Sequence, residues 1–470
     1  MDAHKNSGRS STESAGVSLS ALIAYAAPIA GTWFFYIPMW SILPGIYAKY
    51  FGLKLTAIAG AIVAIRLFDG VIDTAIGYLS DLHRERGGSR KTWVALGGVG
   101  TVLACTYLFT PPRPASVAYY LCWSFAFFLM FTISEIPHAT WGIELNMDYQ
   151  QRARIFGVRV MLCRVGILAF YAMPLLPIYP STEYTPTVLR HSVYVGAIMT
   201  VVGLAIAIIA APASSRPNTV QEDSFRAFIT SVVRNRPLLL YFVIYGCLGV
   251  ASGMWFGLVY FYLDSYLHLG ASISLMFLLG CIVGALSTPI WLAIIRRTSK
   301  TTAWAAGIAL FLVQLAAMAV VKPGTPLWVP FLLIATTYLY FTASDIASLA
   351  SLGDIVDYGH LRFKKDRGAT YLALNVLVFK FGLGLGGGLA LTIAGLFGFN
   401  PGATQYGAPE ILGLKLGFTV LPTIFAASAL VLVLLSPITK RRHSIIQRRI
   451  ERTSIGRRIV SVPEPVQDAI

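Results

Sequence analysis

Charged residues are scarce in this chain and make up 12% of its 470 residues, whereas soluble domains contain about 25%. Hydrophobic residues make up 56%, and the mean hydropathy is +0.68. These values exclude an ordinary soluble globular protein. The first sixteen residues are polar and lack a cleavage pattern, so we expect no cleaved signal peptide.

Motifs for several classes of chemistry are absent from the sequence. H-E-x-x-H, G-x-S-x-G and the Walker A pattern do not occur, so we expect no enzyme. The glycine-rich run from Gly382 to Gly388 is not followed by the Lys and Ser/Thr of a phosphate-binding loop, which argues against a nucleotide site. The five cysteines are scattered without C-x-x-C spacing. We therefore predict neither a disulfide or metal framework nor a cofactor.

Twelve apolar stretches approach or exceed the length of about 20 residues that a membrane-spanning helix needs. They lie near residues 18–48, 54–81, 92–111, 115–145, 155–178, 188–212, 237–266, 270–296, 301–322, 326–356, 368–398 and 411–437. The longest polar interruption begins at Ala211, between the sixth and seventh stretches. We predict an all-α membrane protein with twelve transmembrane helices in two six-helix halves. The predicted parts are an N-terminal tail at 1–17, a first half at 18–212, a central loop at 213–236, a second half at 237–437 and a basic tail at 438–470.

Basic residues are distributed unequally between the two predicted sides of the membrane. Most of the 37 Lys and Arg residues are assigned to the termini and the even-numbered loops, which lie on one side of the membrane. Three others lie within spans: Arg66, Arg164 and Lys380. Six lie in the odd-numbered loops on the opposite side: Lys49, Lys54, Arg113, Arg190, Lys322 and Lys415. This asymmetry follows the positive-inside rule, so we expect a multi-pass protein of the inner (plasma) membrane with both termini in the cytoplasm. It also accounts for the net charge of +16, and we predict no nucleic-acid partner. The basic tail either lies on anionic membrane lipid or is simply solvated.

Two carboxylates lie one helical turn apart inside the second apolar stretch. Asp69 and Asp73 occupy positions i and i+4, which share one face of a helix with Cβ atoms about 5–6 Å apart. A charge near the bilayer centre costs roughly 2.5–3.5 kcal/mol, so we expect the pair to share a cation or a proton. We expect the ionised pair, when empty, to carry uncompensated negative charge. The alternative is that both acids are purely structural partners of Arg66 and Lys380.

Other acids fall within the predicted spans or at their ends. Glu135 lies two residues before Pro137, which bends a helix and frees carbonyl groups near the acid. Asp345 either contacts a substrate or forms a structural pair. Glu144 and Asp264 lie nearer to helix ends and receive less weight as functional acids. Asp354 and Asp357 lie at a predicted membrane boundary, where they either form part of a gate or are simply solvated.

The loop after the second span resembles a known motif. Gly77, Asp81, Gly88, Arg90 and Lys91 resemble the loop motif of the major facilitator superfamily, in which the acid and the arginine hold the cytoplasmic side shut. The resemblance implies the major facilitator fold, two halves that enclose a substrate between them. It also implies that Gly77, Asp81 and Arg90 belong to a gate, although an ordinary charged turn is the alternative.

A longer pattern points to one family. R-x-x-D-x-x-x-D-x-x-x-G-x-x-x-D, from Arg66 to Asp81, closely resembles the glycoside–pentoside–hexuronide:cation symporters, the melibiose permease-like family of that superfamily. The resemblance continues through E-I-P at 135–137, the arginines at 152, 154 and 159, R-N-R-P at 234–237, D-I-V-D-Y-G at 354–359 and V-F-K at 378–380. It implies a secondary active transporter that carries a sugar, glycoside or uronide together with H⁺ or Na⁺ by alternating access. We expect a small-molecule substrate and a functional monomer.

The resemblance also implies roles for individual residues. The implied cation site, a sodium site if the protein uses sodium, consists of Asp69, Asp73 and Thr132. The predicted substrate-binding set consists of Glu135, Arg159, Lys380, Trp33, Arg66 and Asp345. In the family, the lysine that matches Lys380 lies between the cation and substrate sites.

Two departures from the family leave the substrate and the ion open. Trp33 stands where melibiose-binding members have a second sugar-binding acid, and an indole offers stacking instead of a carboxylate. One alternative substrate is therefore an amphiphile, such as a lysolipid or an aromatic or terpenoid glycoside. Another is an acidic uronide paired with Arg66, Arg164 or Lys380. A third alternative is a non-transporting sensor of the same fold. Ile72 stands where sodium-using members often have an amide. A proton needs only one carboxylate with a raised pKa, so the sequence favours a proton while sodium stays open.

Overall fold

The computed structural model of the protein describes residues 17–145, 149–213, 230, 232–363, 368–403, 405–436 and 445. The predicted tails and most of the predicted central loop lie outside the described residues, as does the side chain of Arg152. The fold that follows is built from the remaining chain.

Twelve helical segments are long and apolar enough to cross a membrane, as predicted. Their helices are α1 (Leu19–Tyr36), α2 (Leu55–Glu85), α3 (Arg90–Phe109), α4 (Val117–Leu145), α5 (Tyr149–Ala172), α6 (Pro186–Ala210), α7 (Arg236–Phe261), α8 (Ile273–Leu286, continued by Thr288–Arg297), α9 (Lys300–Val320), α10 (Trp328–Phe363), α11 (Gly368–Leu396) and α12 (Ala408–Lys415, continued by Leu421–Leu434). The described part of the chain contains no strand. The all-α prediction with twelve spans is confirmed. α10 runs to Phe363, beyond the predicted end at residue 356.

The first span is broken where the sequence predicts one continuous stretch. After α1 the chain forms two short helices, Pro38–Ser41 and Leu43–Phe51. Pro38 and Pro44 lie in the first turns of these helices, where a proline is tolerated because the first N–H groups of a helix have no partner. The second short helix ends at Gly52, which has a φ of 72° that favours glycine.

The two ends of the helical bundle differ in how the halves meet. We term the end that carries the even-numbered loops the termini end and the other end the far end. At the far end, Gly45 packs against the ring of Tyr260, and the Thr182 hydroxyl donates to the Ala271 carbonyl at 2.5 Å. At the termini end, a Cβ added to Gly77 would meet no atom within 4 Å. The halves are therefore in contact at the far end. Arg164 and Asp345, which come from opposite halves, are 38% and 63% exposed near the middle of their spans, so we infer a cleft between the halves that opens at the termini end.

Glycines on two faces of α11 bring three helices into close contact. Gly382 and Gly386 face the backbone of α7, and an added Cβ at Gly386 would collide with the Val250 carbonyl. Gly384 and Gly388 face α2, where the side chains of Arg66 and Val63 fill the space that a Cβ would need. Small residues at such spacing allow helices in a membrane to approach closely. Through these contacts α11 positions Lys380 beside α2.

We predict that Gly386→Ala destabilises the protein by about 1–3 kcal/mol, because the added methyl group meets a backbone atom that cannot yield. Thermal unfolding of the purified protein in detergent measures this change. Gly353→Ala is the matched control, since an added Cβ at this helical position meets no atom within 4 Å; it should raise stability slightly through helix propensity. Equal melting temperatures of the two variants would contradict the prediction.

Candidate functional site

A deeply buried charged pair lies on α2. Arg66 Nη1 donates to Asp69 Oδ2, and the two side chains are only 2% and 6% exposed. The Arg66 guanidinium lies 4.0 Å from the Trp40 ring centroid and 4.2 Å from that of Phe128. Such cation–π contacts stabilise a desolvated guanidinium. Asp69 is therefore held by a counter-charge that is itself fixed between two rings.

Asp73 has a different partner, which comes from the other half of the chain. Lys380 Nζ on α11 lies 2.7 Å from Asp73 Oδ2 and 3.8 Å from Asp69 Oδ2. The Thr132 hydroxyl on α4 donates to Asp73 Oδ1 at 3.0 Å. The side chains of Asp73 and Lys380 are 19% and 20% exposed, so this pair can be reached from the cleft. The structure brings the three predicted cation-site residues together beside the Lys380 side chain.

The expectation that the empty acid pair carries uncompensated negative charge is wrong. Asp69 and Asp73 are matched by Arg66 and Lys380, so the cluster contains two acids and two bases. Burying unpaired charge in a low-dielectric interior is costly, and the paired arrangement avoids that cost. A cation that binds here must therefore replace one of the resident bases.

A second polar cluster joins α4, α5 and α1. Arg159 Nη2 donates to Glu135 Oε1, and Arg159 Nε donates to His138 Nδ1 at 3.3 Å. His138 Nε2 lies 2.8 Å from the Tyr25 carbonyl, and its ring stacks on Tyr25 at 4.3 Å. Because Nδ1 accepts a hydrogen bond, the His138 proton is assigned to Nε2. Glu135 Oε2 has no hydrogen-bond partner among the described residues and is thus a buried acceptor.

A third pair crosses the cleft between the halves. Arg164 Nη2 on α5 lies 3.6 Å from Asp345 Oδ2 on α10, and their side chains are 38% and 63% exposed. The separation is too long for a direct hydrogen bond. Trp33 on α1 packs against Tyr36, with ring centroids 4.9 Å apart, and its indole nitrogen has no partner among the described residues.

The predicted gate residues of the first half gather around one arginine. Arg90 is buried at the start of α3, where it donates to Ser80 Oγ at 2.9 Å, Asp81 Oδ1 at 2.5 Å and Glu144 Oε1 at 2.8 Å. Glu144 received little weight because it lies near a helix end, yet it is as central to this cluster as Asp81. Gly77 lies one helical turn before Asp81, and the space beside it is open.

The predicted gate residues of the second half lie on α10. Lys300 Nζ, at the start of α9, lies 2.5 Å from Asp354 Oδ1 and donates to the Ala350 carbonyl at 3.0 Å. Asp357 is half-buried three residues further along the same helix. The Arg90 and Lys300 pairs therefore each lie within one half of the protein.

The sequence analysis missed the groups that orient the predicted residues. Trp40 and Phe128 enclose Arg66, and His138 supports Arg159. Aromatic residues are common in membrane spans, so nothing in their spacing distinguishes these two rings from packing residues. The proximity of His138 to Glu135 on one helix face was a usable signal, since positions i and i+3 are neighbours.

Carboxylates and a hydroxyl are the oxygen ligands available for a cation in the first cluster. No group of three or more His, Cys, Asp or Glu side chains with metal-ligand geometry occurs in the part of the chain that the structure describes. The donor set at Asp73 therefore consists of carboxylate oxygens and the Thr132 hydroxyl, which suits a proton or a hard monovalent cation.

The whole helical bundle matches one known family. Residues 24–440 match the family described as MFS/sugar transport protein. The chain belongs to this family. The resemblance to the glycoside–pentoside–hexuronide:cation symporters is thereby confirmed, as are the major facilitator fold and the classification as a secondary transporter instead of an enzyme.

Similar proteins are carriers and symporters. The uncharacterized symporter YnaJ of Bacillus subtilis is 21% identical over 93% of this chain and 95% of its own length. The putative glycoside/cation symporter YagG of Escherichia coli is 22% identical over 87% of this chain and 90% of its own length. The raffinose carrier protein of Pediococcus pentosaceus is 22% identical over 83% of this chain, which spans 64% of the carrier.

Solved structures share the fold. The nucleoside transporter NupG superposes with a TM-score of 0.62 at 12% identity, covering 89% of this chain and 98% of NupG. A bacterial homolog of the human lysosomal transporter Spinster superposes with a TM-score of 0.60 at 12% identity, covering 92% and 96% of the two chains. At this identity the likeness concerns the fold alone.

We predict that the two acids of this MFS transporter respond differently to neutralisation. Asp69→Asn leaves Arg66 buried without its counter-charge and should lower stability by about 3–5 kcal/mol. Asp73→Asn should cost much less, because Lys380 can reach water in the cleft and lies near Asp69. Thermal unfolding in detergent compares the variants.

Combining Arg66→Met with Asp69→Asn is the control, because removing both charges should restore much of the lost stability. An Asp73→Asn variant that is destabilised as strongly as Asp69→Asn would contradict this division between a structural acid and an exchangeable one.

Proposed function

We propose that this transporter carries a neutral sugar or glycoside together with a proton, and that Asp73 is the group that binds the proton. The observation that carries this proposal is the contrast between the two acids. Asp69 is enclosed with Arg66, whereas Asp73 faces the cleft through a lysine that can leave it. A group that loads and unloads a cation in each cycle must be reachable, and Asp73 meets this requirement.

Lys380 is the proposed link between the cation and the substrate. When Asp73 takes up a proton it loses its charge, and its attraction for the Lys380 ammonium group falls. The ammonium group then becomes available as a donor to a substrate that has entered the cleft. Cation binding thus raises substrate affinity, and by linkage the substrate raises the affinity for the cation to the same degree. This reciprocity is what couples the two fluxes.

A proton fits the proposed site better than sodium does. A proton needs only one reachable carboxylate oxygen, which Asp73 supplies, whereas a sodium ion needs several oxygen ligands. Ile72, between the two acids, contributes no side-chain oxygen to a sodium ion. Sodium bound by Asp69, Asp73 and Thr132 is the alternative, and it requires Lys380 to leave both carboxylates.

The charges around the cleft favour a neutral substrate. Four acids in the spans are each matched by a base, in the pairs Arg66–Asp69, Lys380–Asp73, Arg159–Glu135 and Arg164–Asp345. A uronide would add a negative charge to this balanced set. The Glu135 Oε2 atom and the Trp33 indole N–H are buried polar groups without partners among the described residues. A sugar hydroxyl that reaches them as the cleft closes can donate to the first and accept from the second.

The loose Arg164–Asp345 pair offers a contact with both halves at once. Its 3.6 Å gap and its exposure to the cleft allow hydroxyl groups to bridge the two side chains. A substrate held this way draws α5 and α10 together, which favours closure of the cleft. Sugar carriers and glycoside symporters among the relatives support the same substrate class.

We further propose the orientation and assembly of the protein. The positive-inside distribution of lysine and arginine supports a cytoplasmic termini end and an inner (plasma) membrane location, so the described state is inward-facing. The proposed gate that closes this cleft consists of Gly77, Asp81 and Arg90 in one half and Asp354 and Asp357 in the other. The proposed halves are residues 18–212 and residues 237–437.

Because the cleft is formed within one chain, a monomer is sufficient for transport.

Thermal-shift measurement against a panel of ligands tests this function. The panel contains neutral glycosides, uronides and lysolipids, each with and without sodium at two pH values. Ligand binding to the native state stabilises it by about 2.7 kcal/mol at a concentration one hundred times the Kd. We expect a shift with a neutral glycoside that is larger at the lower pH and independent of sodium.

Glu135→Gln is the matched variant, and its ligand-induced shift is measured relative to its own melting temperature without ligand, because the loss of the Arg159 partner lowers its stability as well. It should show a weaker glycoside-induced shift than the unmodified protein. A shift produced by lysolipids and not by glycosides would replace the sugar with an amphiphile. A shift that requires sodium at both pH values would contradict coupling to protons.

A further inference from the structure

An ion pair at the far end joins the two halves directly. Lys49 Nζ lies 2.9 Å from Asp264 Oδ1 and 2.8 Å from Asp264 Oδ2. The Asp264 side chain is only 3% exposed, and it accepts a further hydrogen bond from Ser265 Oγ at 3.2 Å. Charge-assisted bonds of this kind are about twice as strong as neutral ones. The contact links residues that are distant in the sequence and belong to different halves.

The two residues lie on irregular segments. Lys49 is on the short helix Leu43–Phe51, after the breaks in the first span. Asp264 lies in a single π-helical turn, Tyr262–Tyr266, at the end of α7. π-helical turns inside α-helices are frequent at functional positions. These segments aim both side chains at the seam between the halves, where Gly45 already contacts Tyr260.

The surroundings keep the Lys49 side chain charged. Burial lowers the pKa of Lys49, but the hydrogen bond from Lys49 to Asp264 and the charge of that acid raise it by more, so the pKa lies above its usual value. Glu183 and Tyr50 also face the lysine, and their charges act in the same direction. Tyr406 lies near the pair from the second half. The lysine therefore stays protonated at neutral pH.

We propose that Lys49 and Asp264 form a latch that holds the far mouth shut while the termini end is open, and that this latch breaks in every transport cycle. Alternating access closes one end as the other opens, so contacts between the halves at the closed end must be reversible. The Arg90–Glu144 and Lys300–Asp354 pairs each join residues of a single half, whereas the Lys49–Asp264 pair joins the two halves.

The latch is reversible because the costs of its two states are similar. In the closed state the mutual attraction of the charges offsets their desolvation. In the open state both groups gain water in place of each other. Deleting one partner removes the attraction in the closed state and leaves the other charge buried, so the balance shifts toward an open far mouth. This role requires only alternating access and is independent of the substrate and the coupling ion.

Distances between spin labels across the two ends test the latch. One label pair replaces Glu85 and His360 across the termini end, and the other replaces Ser181 and Gln405 across the far end; all four positions are exposed. The five native cysteines are first replaced by alanine in a background that is verified to transport. We expect Lys49→Ala to shift the equilibrium between the inward-open and far-open states about tenfold toward the latter. The termini-end distance should shorten and the far-end distance should lengthen.

Two further variants separate a latch from a general effect of substitution. Lys54→Ala removes an exposed lysine at the same end and should leave both distances unchanged. The exchanged pair, Lys49→Asp with Asp264→Lys, should return the distances toward those of the unmodified protein. Unchanged distances in Lys49→Ala would overturn the proposal. A shift in Lys49→Ala that persists in a folded exchanged pair would overturn it as well, because the pair would then not be its cause.

Discussion

Every described acid that this protein buries along the seam between its halves has a base within reach, and this pairing constrains the rest of the structure. A charge in an apolar bundle is tolerated when a counter-charge and hydrogen bonds replace water. Arg66 and Lys380 meet this need for the two acids of α2. α11 must therefore approach α2 closely, and its glycines allow that approach.

The pairing of acids and bases also constrains how a cation can bind during transport. A fully neutral cluster has no net attraction for an additional cation, so loading requires that a resident base give way. Arg66 is fixed between Trp40 and Phe128, whereas Lys380 has a flexible stem and partial access to the cleft. We therefore propose that Lys380 is the base that moves when the cation binds. At the far end, the proposed opening replaces the contact between Lys49 and Asp264 with contacts between each side chain and water.

The fold and the identity of the charged groups were largely predictable from sequence, and their partners were not. Apolar stretches and the spacing of Asp69 and Asp73 are local patterns, so the twelve spans and the acid pair of α2 could be predicted from short windows of sequence. The contact of Lys380 with Asp73 joins residues that are far apart in the chain. Local sequence patterns therefore cannot predict it. Glu144 received little weight because position within a span does not reveal the arginine it will meet. The same limit produced the wrong expectation of uncompensated negative charge on α2.

The central claim is that Asp73 loads the coupling cation and that Asp69 serves to hold Arg66. Uptake into proteoliposomes with an imposed proton gradient tests it most directly, using the ligand that stabilises the protein best. The account predicts that Asp73→Asn abolishes accumulation against the substrate gradient while exchange of substrate across the membrane persists. Accumulation by Asp73→Asn to the level of the unmodified protein would contradict it.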